Sequence, residues 1–509
     1  MLDATPLLRL RAGLRMTELA RQDPATAQRH VLTALLHRAR NTRFGQKYDF
    51  DSLRSVSAYQ ARVPLRRYET FWEDWWQPCF PRLRGSTWHG RIPYLALSSG
   101  TSGGPTKYIP VSMAAIRANQ AAALDTLVFH ATARPGTRIL AGRNLLLGGS
   151  TSLERLAIGV QAGDLSGIAA ASMPLWAQQR SFPPRDIALL GDWERKIDAI
   201  ARRCLDQTIT SISGTPSWLL LFFERVAALR PQAGRRLAAL FPDLELIIHG
   251  GLGMQPYRDR FDDWLDGSQA ETREVYAASE GFIAAADLGP GDGMRLLLDR
   301  GLFFEFVPMD QLDQPNPERH WIGNARAGID YALVVTSVAG LWSYVLGDTV
   351  TLASLDPPRL TVTGRTSWSL SVVGEHLTGG ELDEAIAKAA RAIGMAVRDY
   401  AAAPLYPDEK DPRGGHLFLV EFGAAPDLDG FAHALDAVLA AGNADYAAHR
   451  GGEYGMRPPR VQVVPDGGFD TWMASRGRLG GQNKVPRVIS DAKMLSSLLH
   501  SLGLTEKPP

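Results

Sequence analysis

The sequence predicts an α/β protein: a large N-terminal domain of mixed sheets and helices over 1–364, then a small α+β domain over 365–509. Three observations carry this. Between residues 144 and 251, short apolar runs alternate with segments of helical length and period, the pattern of a partly parallel sheet covered by helices. From about residue 272 to 364 the chain turns strand-rich. After TGRTSW (363–368) the pattern resets to a helix–strand–helix–strand series the size of a small domain.

The elements follow in order. Residues 1–40 read as helical. FWEDWWQPCF (71–80) reads as a packed aromatic cluster, since no arginine or lysine interleaves its rings as a nucleic-acid stacking platform would need. Residues 94–97 and 108–111 are short apolar runs, and 113–133 is a long helix. NLLLGG (144–149), TITSIS (208–213) and LELIIHGG (244–251) read as strands. WERKIDAIARRCLDQ (193–207) and PSWLLLFFERVAAL (216–229) read as helices, the second with Pro216 at its start. REVYAAS, RLLLD, LFFEFVP, YALVVTSV, DTVTLA and RLTVTG are strands. Beyond them come a helix at 379–392, a strand at 416–422, a helix at 431–442 and a strand at 460–467.

Composition narrows the function classes. The 509 residues carry a net charge of +1, which argues against a nucleic-acid surface covering the whole chain. Two cysteines, Cys79 and Cys204, need no disulfide framework and suit a reducing compartment. No apolar run reaches the length of a membrane span, and the N-terminus lacks a signal peptide's long apolar stretch. The expectation is a cytoplasmic protein that works without nucleic acid or membrane.

The chemistry starts at YLALSSGTSGGPTKYIPVS (94–112). Gly100, Gly103 and Gly104 let the backbone approach another group closely, while Ser98, Ser99, Thr101, Ser102 and Lys107 offer hydroxyls and an ammonium. That is a seat for phosphate. A flexible Gly/Ser linker is the competing reading, and the apolar runs pressed against both ends favour the first. The stretch is not a Walker A loop. It does match a G-x-S-x-G nucleophile elbow at Ser102, so a serine hydrolase is a second class to weigh. No H-E-x-x-H or paired C-x-x-C motif calls for zinc.

Three later segments give the loop meaning. In VYAASEG (275–281), the Tyr276 ring can stack a base and the Glu280 carboxylate can hold Mg²⁺ beside phosphates. In YVLGDT (344–349), Asp348 after a glycine can accept from both ribose hydroxyls. In GRTSWSLSVVGEH (364–376), Arg365 can bind ribose or phosphate. Each alone has a plain structural explanation; together, after that loop, they favour nucleotide binding.

With these segments in place, the chain resembles the Gretchen Hagen 3 family of acyl acid–amido synthetases, part of the adenylate-forming group that includes acyl-CoA synthetases and luciferases. The likeness starts at NTRFGQKYDF (41–50) and VPLRRYETF (63–71). It passes through SSGTSGGPTKYIPVS, SISGTPSWLL (211–220), VYAASEG, SYVLGDTV and GRTSWSLSVVGEHL, and ends at GGQNKVPR (480–487). The resemblance implies an N-terminal adenylation domain that binds ATP and an acyl acid, and a mobile C-terminal domain. It implies ATP and Mg²⁺ as cofactors, acyl-adenylate formation with release of pyrophosphate, and transfer to an amine, usually an amino acid, by a monomer.

Carried position by position, the likeness gives Ser98, Ser99, Gly100, Thr101 and Ser102 to the phosphates, with Ser279 beside them. It gives Tyr276 to adenine, Glu280 to magnesium, Asp348 to ribose and Arg365 to the nucleotide at the hinge. Lys484 falls beside the reacting carboxylate and α-phosphate, and Trp218 at the border of the acyl pocket. Lys107 either binds phosphate or supports the loop. Where plant members often carry Asp-Lys, this chain has Glu375-His376. An acyl-CoA ligase shares the first half-reaction and differs in its acceptor.

Overall fold

The computed structural model describes residues 2–98, 107–148, 152–190, 193–251, 254, 257–312, 314–366, 369–375, 377–407, 413–423, 425–450, 455–475 and 485–504. They form two compact units that divide between Thr366 and Ser367.

The strands of the N-terminal unit are β1 (Tyr94–Ser98), β2 (Lys107–Val111), β3 (Arg143–Leu146), β4 (Leu153–Ala157), β5 (Val160–Gly163), β6 (Ser181–Phe182), β7 (Ile209–Gly214), β8 (Leu246–Gly250), β9 (Glu271–Ala278), β10 (Gly281–Ala285), β11 (Met294–Leu296), β12 (Leu302–Pro308), β13 (His320–Trp321), β14 (Asp330–Ser337), β15 (Tyr344–Leu355) and β16 (Pro358–Arg365). Among the described residues they build two sheets. The smaller has the order β2-β1-β5-β4. The larger runs β13-β12-β14-β15-β16-β11-β10-β9-β8-β7-β3-β6. From β6 to β9 its neighbours are parallel; from β9 onward they are antiparallel.

The parallel half is covered on both faces, as its apolar strand sequences require. Strand alternation sends Ile212 and Ile247 to one face, where they pack with Ile200, Leu219, Phe222 and Phe223 from the helices Trp193–Cys204 and Pro216–Leu229. Leu246 goes to the other face and packs with Leu8, Ala12 and Phe129 from the helices Thr5–Ala20 and Met113–Ala133. Each such buried Leu or Phe contributes about 1.5–3 kcal/mol of transfer free energy before chain entropy is counted. The run 71–80 is a packed cluster: Phe71, Trp75 and Trp76 are buried, and the Trp76 indole N–H donates to Thr87 Oγ1 at 3.1 Å.

The C-terminal unit has a small hairpin, β17 (Ser369–Leu370) with β18 (Leu377–Thr378). Its three-stranded sheet pairs β19 (Val397–Leu405) antiparallel to β20 (Gly415–Phe422), and β20 parallel to β21 (Arg460–Val464). The helices Gly379–Ala392 and Leu428–Gly442 supply the apolar side chains that cover this sheet. Buried within the unit, Glu375 accepts the N–H groups of Val372 and Val373 at 2.7 and 2.8 Å and meets His416 Nε2 at 2.6 Å.

Two boundaries differ from the sequence reading. The division was expected at Gly364–Arg365 and falls two residues later. Arg365 still pairs with Asp348 in the β15–β16 ladder, and the Thr366 N–H closes on Gly347 O at 2.8 Å. Asp348 was expected at a strand start, but β15 already begins at Tyr344. Strands β4, β5 and β19 were not expected. The first two are short and carry charged or small side chains, and β19 is built around three alanines.

Candidate functional site

In a parallel sheet, ligands bind outside the carboxyl ends of the strands. Here those ends are Gly214 of β7, Gly250 of β8 and Ala278 of β9. Ser279 and Glu280 form a two-residue turn at the tip of β9, since Ala278 and Gly281 face each other in the β9–β10 register. Gly281 takes φ +158°, and a Cβ there would meet Leu302 side-chain carbons at 3.0 Å, so glycine suits this close approach.

Tyr276 and Asp348 are far apart in the sheet order, with β10, β11 and β16 between their strands. Four steps of about 4.8 Å would part them by roughly 19 Å in a flat sheet. The Tyr276 hydroxyl nevertheless donates to the Asp348 carboxylate, so the sheet curls to bring β9 against the start of β15. Arg365 completes the group, its Nε 3.1 Å from Asp348. A β-bulge presents the aspartate. Between its pairings with Val334 and Ala332, β15 runs from Val345 to Thr349, two residues longer than β14 over that span. Gly347 lies in this bulge at φ +98°. The glycine before the aspartate is a conformational requirement of the site.

Glu280 is half-buried at the turn. Protein surrounds it closely enough that burial pushes its carboxyl up to about 7. The nearby Asp348 pushes the same way, while its own backbone N–H, Arg365 and Lys107 oppose. The Tyr344 hydroxyl faces it and is itself driven well above its ordinary range, by burial first and by Glu280 second. Lys107, on β2, meets Glu69 at 3.3 Å and lies 5.2 Å above the Tyr68 ring.

Tyr344 is fixed by the residue before it. Ser343 adopts φ +46°, an uncommon conformation for a residue with a side chain. A buried group holds it there: Thr336 Oγ1 accepts its N–H at 2.9 Å, and its hydroxyl meets Arg319 Nη2 at 2.6 Å and Glu305 Oε2 at 3.0 Å.

The structure therefore draws together four of the residues singled out in the sequence, Tyr276, Glu280, Asp348 and Arg365, with Ser279 beside Glu280. Ser98 ends β1 opposite Lys107. Trp218 lies half-buried in the first turns of the helix Pro216–Leu229. Ser99, Gly100, Thr101, Ser102, His376 and Lys484 lie outside the described residues. Among the described residues no group of three or more His, Cys, Asp or Glu forms a ready metal cage. A divalent cation fits Glu280 in another way. One desolvated carboxylate, with phosphate oxygens and water completing the shell, is an ordinary arrangement for Mg²⁺. A cation there would also relieve the burial that raises this carboxyl.

Sequence reasoning passed over one feature. Thr215 Oγ1, Ser217 Oγ and His249 Nδ1 are buried and have no hydrogen-bond partner among the described residues. All three lie at the carboxyl ends of β7 and β8. The available signal was an imidazole inside the apolar run LELIIHGG, and two hydroxyls flanking Pro216 in SISGTPSWLL.

Comparison with known proteins gives a consistent result. The chain matches the GH3 family N-terminal domain over residues 13–155 and 157–270, the central domain over 295–365 and the C-terminal domain over 380–493. Among curated proteins, it is 24% identical over 267 residues to indole-3-acetic acid-amido synthetase GH3.4 of Arabidopsis thaliana, covering 48% of this chain and 44% of that one. It is 27% identical over 289 residues to jasmonoyl–L-amino acid synthetase GH3.5 of Oryza sativa subsp. japonica, covering 52% and 49%. The chain thus spans about half the length of the curated relatives it matches. Among solved structures, it superposes on AtGH3.15 acyl acid amido synthetase in complex with 2,4-DB with a TM-score of 0.60, at 18% identity over 96% of this chain and 95% of the other. It also superposes on a 2-hydroxyisobutyryl-CoA ligase with a TM-score of 0.57, at 18% identity over 94% and 92%. At that identity the two structures establish a shared fold.

Proposed function

The chain belongs to the GH3 family, and from that premise we propose that it is an ATP-dependent acyl acid–amido synthetase. It joins a carboxylic acid to an amine, an amino acid by preference, through an acyl-adenylate. One observation carries the reading: Tyr276, Glu280, Asp348 and Arg365, from three separate stretches of sequence, converge at the carboxyl end of the parallel strands. Each has a part in holding a nucleotide. The Tyr276 ring lies against the base, Asp348 accepts from the ribose hydroxyls, and Arg365 holds Asp348 and the nucleotide together. The segment Ser98–Ser102, with Ser279, cradles the phosphates.

A carboxylate that attacks a phosphoryl group meets like charge. Glu280 would hold the Mg²⁺, which would supply charge neutralisation beside the phosphates. Lys484, from the mobile C-terminal domain, brings an ammonium to the reacting carboxylate and α-phosphate, where charge develops in the transition state. Acyl-adenylates hydrolyse readily, so closure of that domain serves to exclude water. In the second half-reaction the amine attacks the acyl carbon and AMP leaves. The unit that ends at Thr366 is read as the adenylation domain and the one that begins at Ser367 as the mobile part, and the protein as a cytoplasmic monomer. Two free cysteines and the lack, among the described residues, of any helix long and apolar enough to cross a membrane support this setting.

The test is product analysis. The full chain is incubated with ATP, Mg²⁺ and a panel of aromatic, aliphatic and hydroxy acids, with either mixed amino acids or coenzyme A. AMP and an amide detected by mass spectrometry support the proposal. AMP and a thioester instead assign the chain to the acyl-CoA ligases. AMP in neither case, with every acid, overturns it.

A further inference from the structure

The carboxyl ends of β7 and β8 hold three polar side chains that nothing in the nucleotide site accounts for. Thr215 stands at the N-terminus of the helix Pro216–Leu229, where a threonine ordinarily accepts a backbone N–H of the first turn. It makes no such cap, and among the described residues its buried hydroxyl has no partner. Among the same residues, the hydroxyl of Ser217, 3% exposed in the same turn, has none either. Nor does Nδ1 of His249, 4% exposed on β8.

The three lie close together. Gly214 and His249 are register partners, so Thr215 begins one residue beyond the row that holds the imidazole. A Cβ on Gly251 would touch the Thr215 methyl at 3.4 Å. His249 shares a strand face with Ile247, which packs on Phe222 and Phe223 of the helix that carries Ser217. Buried polar groups in folded proteins are nearly always paired, and three orphans in one place need an explanation.

The row also points toward the reaction. Glu274 of β9 is His249's register partner on the other side, and Tyr276 follows on the same face of β9 two residues on. That is a step of roughly 6.6 Å toward the nucleotide cluster. Burial, with Arg258 adding to it, holds His249 down to about 4, so the imidazole is neutral at pH 7. Burial also raises the Glu274 carboxyl, against the pull of Arg258.

Resting on the adenylation reading, we propose that Thr215, Ser217 and His249 form a polar wall of the acyl pocket, and that the acid substrate carries a hydroxyl or oxo oxygen several bonds from its carboxylate. Two hydroxyls and a neutral imidazole can each donate or accept, which suits a neutral oxygen better than a second charge. All three atoms are closed to water in the chain as it stands, so the acid meets them by displacing what covers them.

The test compares benzoate with 3- and 4-hydroxybenzoate, and hexanoate with 6-hydroxyhexanoate, by ATP–pyrophosphate exchange in the full chain. The variants are Ser217→Ala and Thr215→Val. The wild type is expected to favour the oxygenated member of an accepted pair by at least roughly 100-fold in kcat/KM, since a site built for a hydroxyl rejects the analogue without one. Each variant is expected to lose most of that preference. Removing an orphan hydroxyl should also leave the melting temperature unchanged or raised, whereas a hydroxyl serving the fold would lower it. Equal use of both members, or a lowered melting temperature with the preference intact, overturns the wall: ordered water or local packing then accounts for these atoms, and adenylation stands. Exchange with none of the acids removes the adenylation reading. Calorimetric binding of 4-hydroxybenzoate against benzoate, in wild type and Ser217→Ala, then decides the wall by itself. A preference lost in the variant supports it, and equal or absent binding overturns it.

Discussion

Replacing Asp348 with asparagine tests the nucleotide assignment with the least disturbance of shape. The carboxylate accepts from the Tyr276 hydroxyl and pairs with Arg365 Nε at 3.1 Å, and its side chain is only 16% exposed, so water screens it weakly. A ribose bound here would direct two hydroxyls at the same carboxylate. Asparagine keeps one acceptor oxygen and turns the other position into a donor. One charge-assisted bond becomes neutral and the second is lost, about 2–3 kcal/mol in total. The AMP dissociation constant should therefore rise roughly 30- to 150-fold. Isothermal titration of AMP into wild type and Asp348→Asn gives the ratio. The melting temperature serves as control and should move by no more than about 3 °C, because the β15 ladder does not use this side chain. An affinity within twofold of wild type, in a folded variant, would remove Asp348 from the nucleotide site and leave the Tyr276–Asp348–Arg365 group as a structural tie.

Further predictions concern the C-terminal half. Lys484→Ala should slow adenylation at least about 100-fold while ATP binding, measured by titration, stays within a few-fold, because the ammonium acts chiefly in the transition state; equal rates would take Lys484 out of the mechanism. Burial alone would raise the Glu375 carboxyl, but His416 and the Val373 N–H hold it down to about 2. A depressed acid stabilises the fold above its unfolded value of about 4.5, and that contribution fades as pH falls toward about 2. Glu375→Gln should thus cost on the order of 3 kcal/mol at pH 7. The gap between its melting temperature and that of wild type should narrow as pH falls below about 4.5 and close only near pH 2. A gap that stays constant from pH 7 to pH 3 would contradict this.

Much of the fold was legible because its signals are local. The helices Met113–Ala133, Pro216–Leu229 and Gly379–Ala392 match their sequence-read spans, since apolar periodicity, Pro216 and flanking glycines mark their ends. Strand β12 was visible as the apolar run LFFEFVP, interrupted only by Glu305. Strand β19 was not, because three alanines carry no strand preference and only pairing with β20 fixes them. The candidate site was legible in type but not in arrangement. Tyr276, Glu280, Asp348 and Arg365 could be read from their motifs. That Tyr276 donates to Asp348 depends on the curl of a sheet with three strands between them. Thr215, Ser217 and His249 left a faint signal in polar groups set among apolar runs, but that their atoms lack partners among the described residues is a property of packing.

The most direct measurement is ATP–pyrophosphate exchange by the full chain with Mg²⁺, across aromatic, aliphatic and hydroxy acids. Exchange that requires a particular acid and is lost in Glu280→Gln is the predicted result. No exchange with any acid, together with ATP-independent esterase activity and fluorophosphonate labelling at Ser102, would contradict it and make the chain a serine hydrolase on this fold.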